Sequence, residues 1–152
     1  MERIIKPAFA VIGIEGSTED GPGFIPTLWE RANSRFGEVA QLAQTNPDGS
    51  LQGVWGAMTD FSRRFLPWEE GFTRGLYLAG IEVRADAQPP EGWVRWDIPG
   101  FEHLRVENTA PDVFPRTLQL LAEQGLTLAG AVHDFTDPAT GKGYILFPIR
   151  RL

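Results

Sequence analysis

Cysteine is absent from the 152 residues, which removes disulfides, thiolate metal sites and cysteine nucleophiles together. Histidine is nearly absent too: His103 and His133 are the only two. A metal centre would need both of them to converge with carboxylates, and their spacing gives no sign of that, so no metal is expected. The four serines, Ser17, Ser34, Ser50 and Ser62, include none in a Gly-x-Ser-x-Gly elbow. There is no Gly-x-Gly-x-x-Gly and no phosphate loop, so no nucleotide cofactor is expected, nor any other cofactor. No apolar run approaches the ~18–20 residues of a membrane span. The opening Met1–Pro7 stretch lacks the long apolar core of a signal peptide, so the expectation is a soluble cytoplasmic protein without membrane partners. Positive charge is in deficit. Lys plus Arg number 14 against 20 Asp plus Glu, a net charge of −6 and a pI near 4.9. A protein that lives on phosphates needs a basic footprint, so direct nucleic-acid binding is not expected. A helix-turn-helix before Phe9 is not expected either. A protein partner is compatible with the acidic charge but has no other support.

Aromatics are in excess: 5 Trp, 10 Phe and 2 Tyr make up 11% of the residues. Gly (17) and Pro (12) are plentiful, which suggests many turns rather than a helical bundle. Phe9 to Glu15 is apolar and β-branched and reads as a strand. After a Gly/Pro/Ser loop the period changes. Ile25, Leu28, Trp29, Ala32, Phe36, Val39 and Ala43 share a helical face, with Pro26 suited to a first turn. Leu51–Asp60 and Leu76–Arg84 read as two further strands. Residues 85–92 (Ala-Asp-Ala-Gln-Pro-Pro-Glu-Gly) are linker-like, and then the order recurs. Trp93–Ile98 and Phe101–Asn108 read as strands and Phe114–Ala122 as a helix, with Asp112 as its cap. Leu126–Phe135 and Tyr144–Arg150 complete the set. Segments also match in letters, such as Gly56-Ala57-Met58-Thr59-Asp60-Phe61 and Gly130-Ala131-Val132-His133-Asp134-Phe135. The expectation is an α+β fold in one domain, residues 1–152. It would be built from duplicated β-α-β-β units, 1–85 and 92–152, with antiparallel sheets, helices on one side and a groove between the halves.

In this order the chain resembles the GyrI-like, or AraC-type effector-binding, family. The carrying residues are Phe9-Ala10-Val11-Ile12-Gly13, Ile25-Pro26-Thr27-Leu28-Trp29, Gly53-Val54-Trp55-Gly56, Tyr77-Leu78-Ala79-Gly80-Ile81-Glu82-Val83, and Gly92-Trp93 with Trp96-Asp97-Ile98-Pro99-Gly100. The resemblance implies a tandem β-α-β-β fold that binds hydrophobic, often cationic compounds in an aromatic groove with a buried acid. Some free-standing members of the family hydrolyse cyclopropane-containing natural products. The chain departs from the family where drug-binding members often carry a Glu two residues before the last-strand Tyr. Lys142 stands there, before Gly143 and Tyr144, so the acid must come from elsewhere.

Glu82 is the most unusual carboxylate, because it lies within an apolar strand. Alternation places Tyr77, Ala79, Ile81 and Val83 on one face and Leu76, Leu78, Gly80 and Glu82 on the other. If the second face lines the groove, Glu82 could pair with a ligand cation or act as general base on water; otherwise it is a solvated strand-end acid near Arg84. Trp55 and Tyr77 are candidate ligand-binding walls, whereas Trp29 reads as core. Phe61, Phe65, Trp68 and Phe72 crowd the Asp60–Arg74 connection, either as a flap over a ligand or as a minor core. A cation held on such faces gains ~0.5–2 kcal/mol each. The expected function is thus binding of a hydrophobic, cationic small molecule by Trp55, Tyr77, Glu82, Phe65, Trp68 and Phe72. The alternative is a hydrolase in which Glu82 is catalytic.

Overall fold

A computed structural model describes residues 1–152. It is an α+β fold with one eight-stranded antiparallel sheet. The strands are β1 (Glu2–Lys6), β2 (Phe9–Ser17), β3 (Val54–Thr59), β4 (Leu76–Val83), β5 (Val94–Ile98), β6 (Phe101–Glu107), β7 (His133–Thr136) and β8 (Gly143–Arg151). The helices are α1 (Phe24–Ser34), a single turn α2 (Glu69–Phe72) and α3 (Val113–Glu123). The strand order is β1-β6-β8-β7-β3-β4-β2-β5, so β2-β4-β3 and β6-β8-β7 run inward from opposite ends and meet at the β3–β7 pair. Each outer strand is exchanged: β1 precedes β2 in the chain but pairs with β6, and β5 precedes β6 but pairs with β2.

The two long helices lie on the same face. Leu28 and Ala32 of α1 pack on Ala10, Ile12 and Ile14 of β2 and Tyr77, Ala79, Ile81 and Val83 of β4. Val113 and Leu121 of α3 pack on Ile145 and Phe147 of β8. The opposite face is folded inward around Val11, Trp55, Leu78, Trp96, Ile98 and Leu146. Curvature is strong enough that Lys6 on edge strand β1 reaches Glu82 of β4.

Four expectations from the sequence need correction. First, the chain has a strand, β1, before the one expected at Phe9. Glu2-Arg3-Ile4-Ile5-Lys6 is short and charged, and only Ile4 packs with the inner core, while Ile5 is 61% exposed. Second, the apolar stripe from Ile25 to Ala43 is not one helix. The α-helix stops at Ser34 and two 3₁₀ turns follow, Phe36–Glu38 and Ala40–Leu42. Gly37 is a poor helix former, and the turn is tied outward by Trp93 Nε1 donating to Glu38 (3.1 Å) and Arg35 donating to the Glu91 carbonyl (3.3 Å). A three-residue period still buries Val39. Third, of the expected Leu126–Phe135 strand only His133–Phe135 is strand, and β7 runs one residue further, to Thr136. The amides before it bond elsewhere, Ala131 to the Phe65 carbonyl (2.7 Å) and Ala129 to that of Pro148 (2.8 Å). Fourth, Asp112 stands at the start of α3 but its side chain caps nothing. It pairs instead with Arg116 at 3.3 Å.

Candidate functional site

The β3–β7 pairing lasts only from Val54↔Thr136 to Gly56↔Asp134. Beyond Gly56 the strands diverge, and the amide of Met58 on β3 donates to the imidazole Nδ1 of His133 (3.0 Å). His133 thus points to the inner face and Asp134 to the helix face, as adjacent residues of a strand must.

A cavity of about 230 Å³ opens on the helix face at this divergence. Met58 of β3, Val132 and Asp134 near the start of β7, and Ile145 of β8 form its floor. Phe114 of α3 forms one wall, and Trp68 and Phe72 from the Asp60–Arg74 connection form another. Asp134 is the only polar residue in that lining, and it is half-buried. Burial lifts its carboxyl from the ordinary 3.8 to about 6, even against a hydrogen bond from Tyr77. The Tyr77 hydroxyl donates to Asp134 Oδ2 at 3.5 Å and accepts from Trp29 Nε1 at 2.9 Å. Burial, and then the charge of Asp134, push the Tyr77 phenol well above its usual value. This Trp29–Tyr77–Asp134 chain crosses β3 at Gly56. A Cβ there would lie 2.0 Å from the Tyr77 oxygen, so only glycine permits the crossing.

The connection that carries Trp68 and Phe72 is held in an uncommon backbone. Arg63, Phe65, Glu70 and Phe72 are the only non-glycine residues with positive φ, and all four lie within it. Each costs about 1–2 kcal/mol, so the surroundings must hold the loop in place. Several anchors do so. The Asp60 carboxylate accepts from the amides of Ser62, Arg64 and Leu66 (3.2, 3.1 and 3.2 Å) and from the Ser62 hydroxyl. Burial alone would raise the Asp60 pKa, but the Ser62 hydroxyl and the Leu66 and Arg64 amides together hold it below the ordinary value. Arg63 grips both oxygens of Glu15 at 2.8 Å. Trp68 lies over Gly75, where a Cβ would meet its ring at 2.0 Å, and donates to the Leu76 carbonyl (3.0 Å). Phe72 meets Phe114 edge-on at 5.2 Å, and Phe114 stacks on Phe147 at 5.8 Å. An aromatic bridge therefore runs from the loop to α3 along the cavity.

The six residues singled out from the sequence divide between the two faces. Trp68 and Phe72 line the cavity and Tyr77 reaches its acid. Phe65 turns inward, edge-on to Trp96 at 5.9 Å. Trp55 is buried on the inner face between Phe9 and Phe135, 4.7 Å from each. Glu82 shares that face. Lys6 Nζ donates to its two oxygens at 3.0 and 2.8 Å, and Trp55 Nε1 donates at 3.1 Å. Lys6 also sits over the Phe9 ring at 4.6 Å. Glu82 borders two more open hollows, of about 410 and about 570 Å³. Sequence reasoning does not single out Asp134 or Phe114 as site residues. The signal for Asp134 is present in the alternation that sets it opposite His133 and in its match to Asp60 in the paired segments.

His103 and His133 face one another on the inner side, ring centroids 6.5 Å apart, with His103 Nδ1 and His133 Nε2 buried and unpartnered. Burial lowers both, His103 to about 4 with help from the charge of Lys6, and His133 to about 3 with help from His103. No three His, Asp or Glu side chains converge in a metal-binding group. No helix is long and apolar enough to cross a membrane.

No family model matches the chain, and no curated protein does. Solved structures do match in fold. A Vibrio cholerae integron cassette protein, VCH_CASS2, aligns over 99% of this chain and 95% of its own, with TM-score 0.60 and 15% identity. SAV2435, solved bound to tetraphenylphosphonium, aligns over 98% of this chain and 93% of its own, with TM-score 0.62 and 13% identity. EcmrR, solved in a complex with DNA, aligns over 99% of this chain but 58% of its own, with TM-score 0.62 and 12% identity. These likenesses are consistent with a GyrI-like fold, and at such identities they speak to fold alone.

Proposed function

We propose that the protein binds a hydrophobic, cationic aromatic small molecule in the helix-face groove, at the seam of two β-α-β-β repeats, with Asp134 as the counter-charge. One observation carries this reading: a half-buried carboxylate on the floor of a cavity otherwise lined by Met58, Val132, Ile145 and three aromatic rings. Such a site rewards a ligand with an apolar body and one positive centre. Apolar contact comes from the walls, ring faces attract the cation, and the carboxylate gains a partner in place of the water it lost on folding. The fold-level likeness to SAV2435 in its phosphonium complex supports the same chemistry. Glu82 fits the role less well, because both its oxygens are already held by Lys6 on the opposite face. The same engagement weighs against Glu82 as a general base in a hydrolase.

The test uses two probes of one shape, benzyltrimethylammonium and neutral neopentylbenzene, titrated against tryptophan fluorescence. The cation is expected to bind saturably, and Asp134→Asn should weaken it at least about tenfold (~1.4 kcal/mol). The neutral probe should bind both proteins alike. Absence of saturable cation binding, or equal loss for both probes, would overturn the proposal.

A further inference from the structure

A second apolar cavity of about 240 Å³ lies on the same face, under the 3₁₀ turns that follow α1. Phe36, Val39, Leu51, Val54 and Trp93 line it, and Trp29 closes its near side. The two cavities share strand β3: Val54 belongs to the second and Met58 to the first, with Gly56 midway. Four residues of strand span ~13 Å. The side chain that crosses β3 at Gly56 is that of Tyr77, and its hydroxyl accepts a 2.9 Å hydrogen bond from Trp29 Nε1. Trp29 therefore forms a partition. Its ring walls the second cavity, its N–H is tied to the polar chain that ends at Asp134, and it is only half-buried on α1. Alone, each cavity falls short of the ~300–1,000 Å³ of a drug-sized site; joined, they reach it.

Resting on the proposed cation site, we infer that the second cavity is a further ligand subsite gated by Trp29. The ligand it serves is an elongated cation with aromatic groups on both sides of the charge. The positive centre sits at Asp134, one aromatic group lies among Trp68, Phe72 and Phe114, and the other displaces Trp29 and enters the space beneath Phe36 and Trp93. Release of the Trp29–Tyr77 bond accompanies entry, so Trp29 sets how well long ligands compete with short ones.

The experiment compares benzyltrimethylammonium with dibenzyldimethylammonium by calorimetry, in wild type and in Trp29→Phe. Phe keeps an aromatic ring but removes the indole donor. The ratio of the two affinities is expected to move toward the two-ring compound by about fivefold, the equivalent of one hydrogen bond of ~1 kcal/mol. In ¹⁵N–¹H spectra of the wild type, which need no variant to fold, the Trp29 indole resonance should shift far more with the two-ring cation than with the one-ring cation. If benzyltrimethylammonium binds in an Asp134-dependent way but the ratio stays fixed and the indole resonance responds equally to both, the gate is wrong and the cation site stands. If neither compound binds in an Asp134-dependent way, both fall.

Discussion

Replacing Asp134 by asparagine should make the protein more stable at neutral and alkaline pH, although the change falls at the proposed binding residue. In the fold this carboxyl titrates near 6, against an ordinary 3.8. The native state thus holds its proton more tightly than the unfolded chain does, and between about pH 4 and 6 it binds more protons. Stability therefore falls as pH rises through that window, and the loss is complete above about pH 7. Raising a carboxyl from 3.8 to about 6 corresponds to ~3 kcal/mol. The substituted amide would keep the shape and a hydrogen bond with Tyr77 but carry no charge. For a chain of this length ~3 kcal/mol is ~6–12 °C in Tm. Thermal melts of both proteins at about pH 8 and about pH 4 make the assay, since the differences between variants cancel other titrations. A gain at the higher pH that vanishes at the lower is expected. No gain at the higher pH, or an equal gain at both, would refute the claim that the cavity penalises the charge.

The buried histidines should act in the opposite sense. They stay neutral in the fold while an unfolded His charges near 6.5, so stability present above that pH is lost as pH falls toward about 4. His103→Gln should narrow the difference between urea midpoints at about pH 7.5 and about pH 5; an unchanged difference would count against it. Glu70, exposed at φ 49°, should gain about 0.5–1 kcal/mol on Glu70→Gly, read from chemical denaturation, and a loss would show that the loop backbone carries no local strain. Glu82→Gln or Lys6→Met should each cost about 1–3 kcal/mol by leaving a charge on the inner face unpaired, while the double variant costs less than the sum. Additive losses in the same urea melts would mean that the two do not interact.

Period and turn chemistry convey the fold in the sequence, and they do so best where local pattern and burial agree. The face alternation of Leu76–Val83 is an example: Tyr77, Ala79, Ile81 and Val83 meet α1 while Leu78 lies in the inner core. Pattern fails where tertiary partners override it. The apolar run at Leu126–Val132 packs as irregular chain because its amides bond to the Phe65 and Pro148 carbonyls. Part of the candidate site is legible. Trp68 and Phe72 stand out as large rings in a loop, and Tyr77 as a polar tip on a buried face. Glu82 is more conspicuous than Asp134 because its strand is more apolar. Nothing in its own strand announces that Lys6, far off in sequence, neutralises it. Asp134 in turn looks ordinary between His133 and Phe135. Its place on the cavity floor comes from where β3 and β7 part, which sets it beside Met58, Tyr77 and Phe114 of three other elements.

The pH dependence of cation binding tests the account at its centre. Affinity for benzyltrimethylammonium, measured by calorimetry from about pH 5 to 8, should rise about tenfold between about pH 5 and 7 and then level, as a carboxyl titrating near 6 gives up its proton. In Asp134→Asn the same curve should be flat and low. A flat curve in the wild type, or a rise that survives the substitution, would contradict the assignment of Asp134 as the charge that meets the ligand.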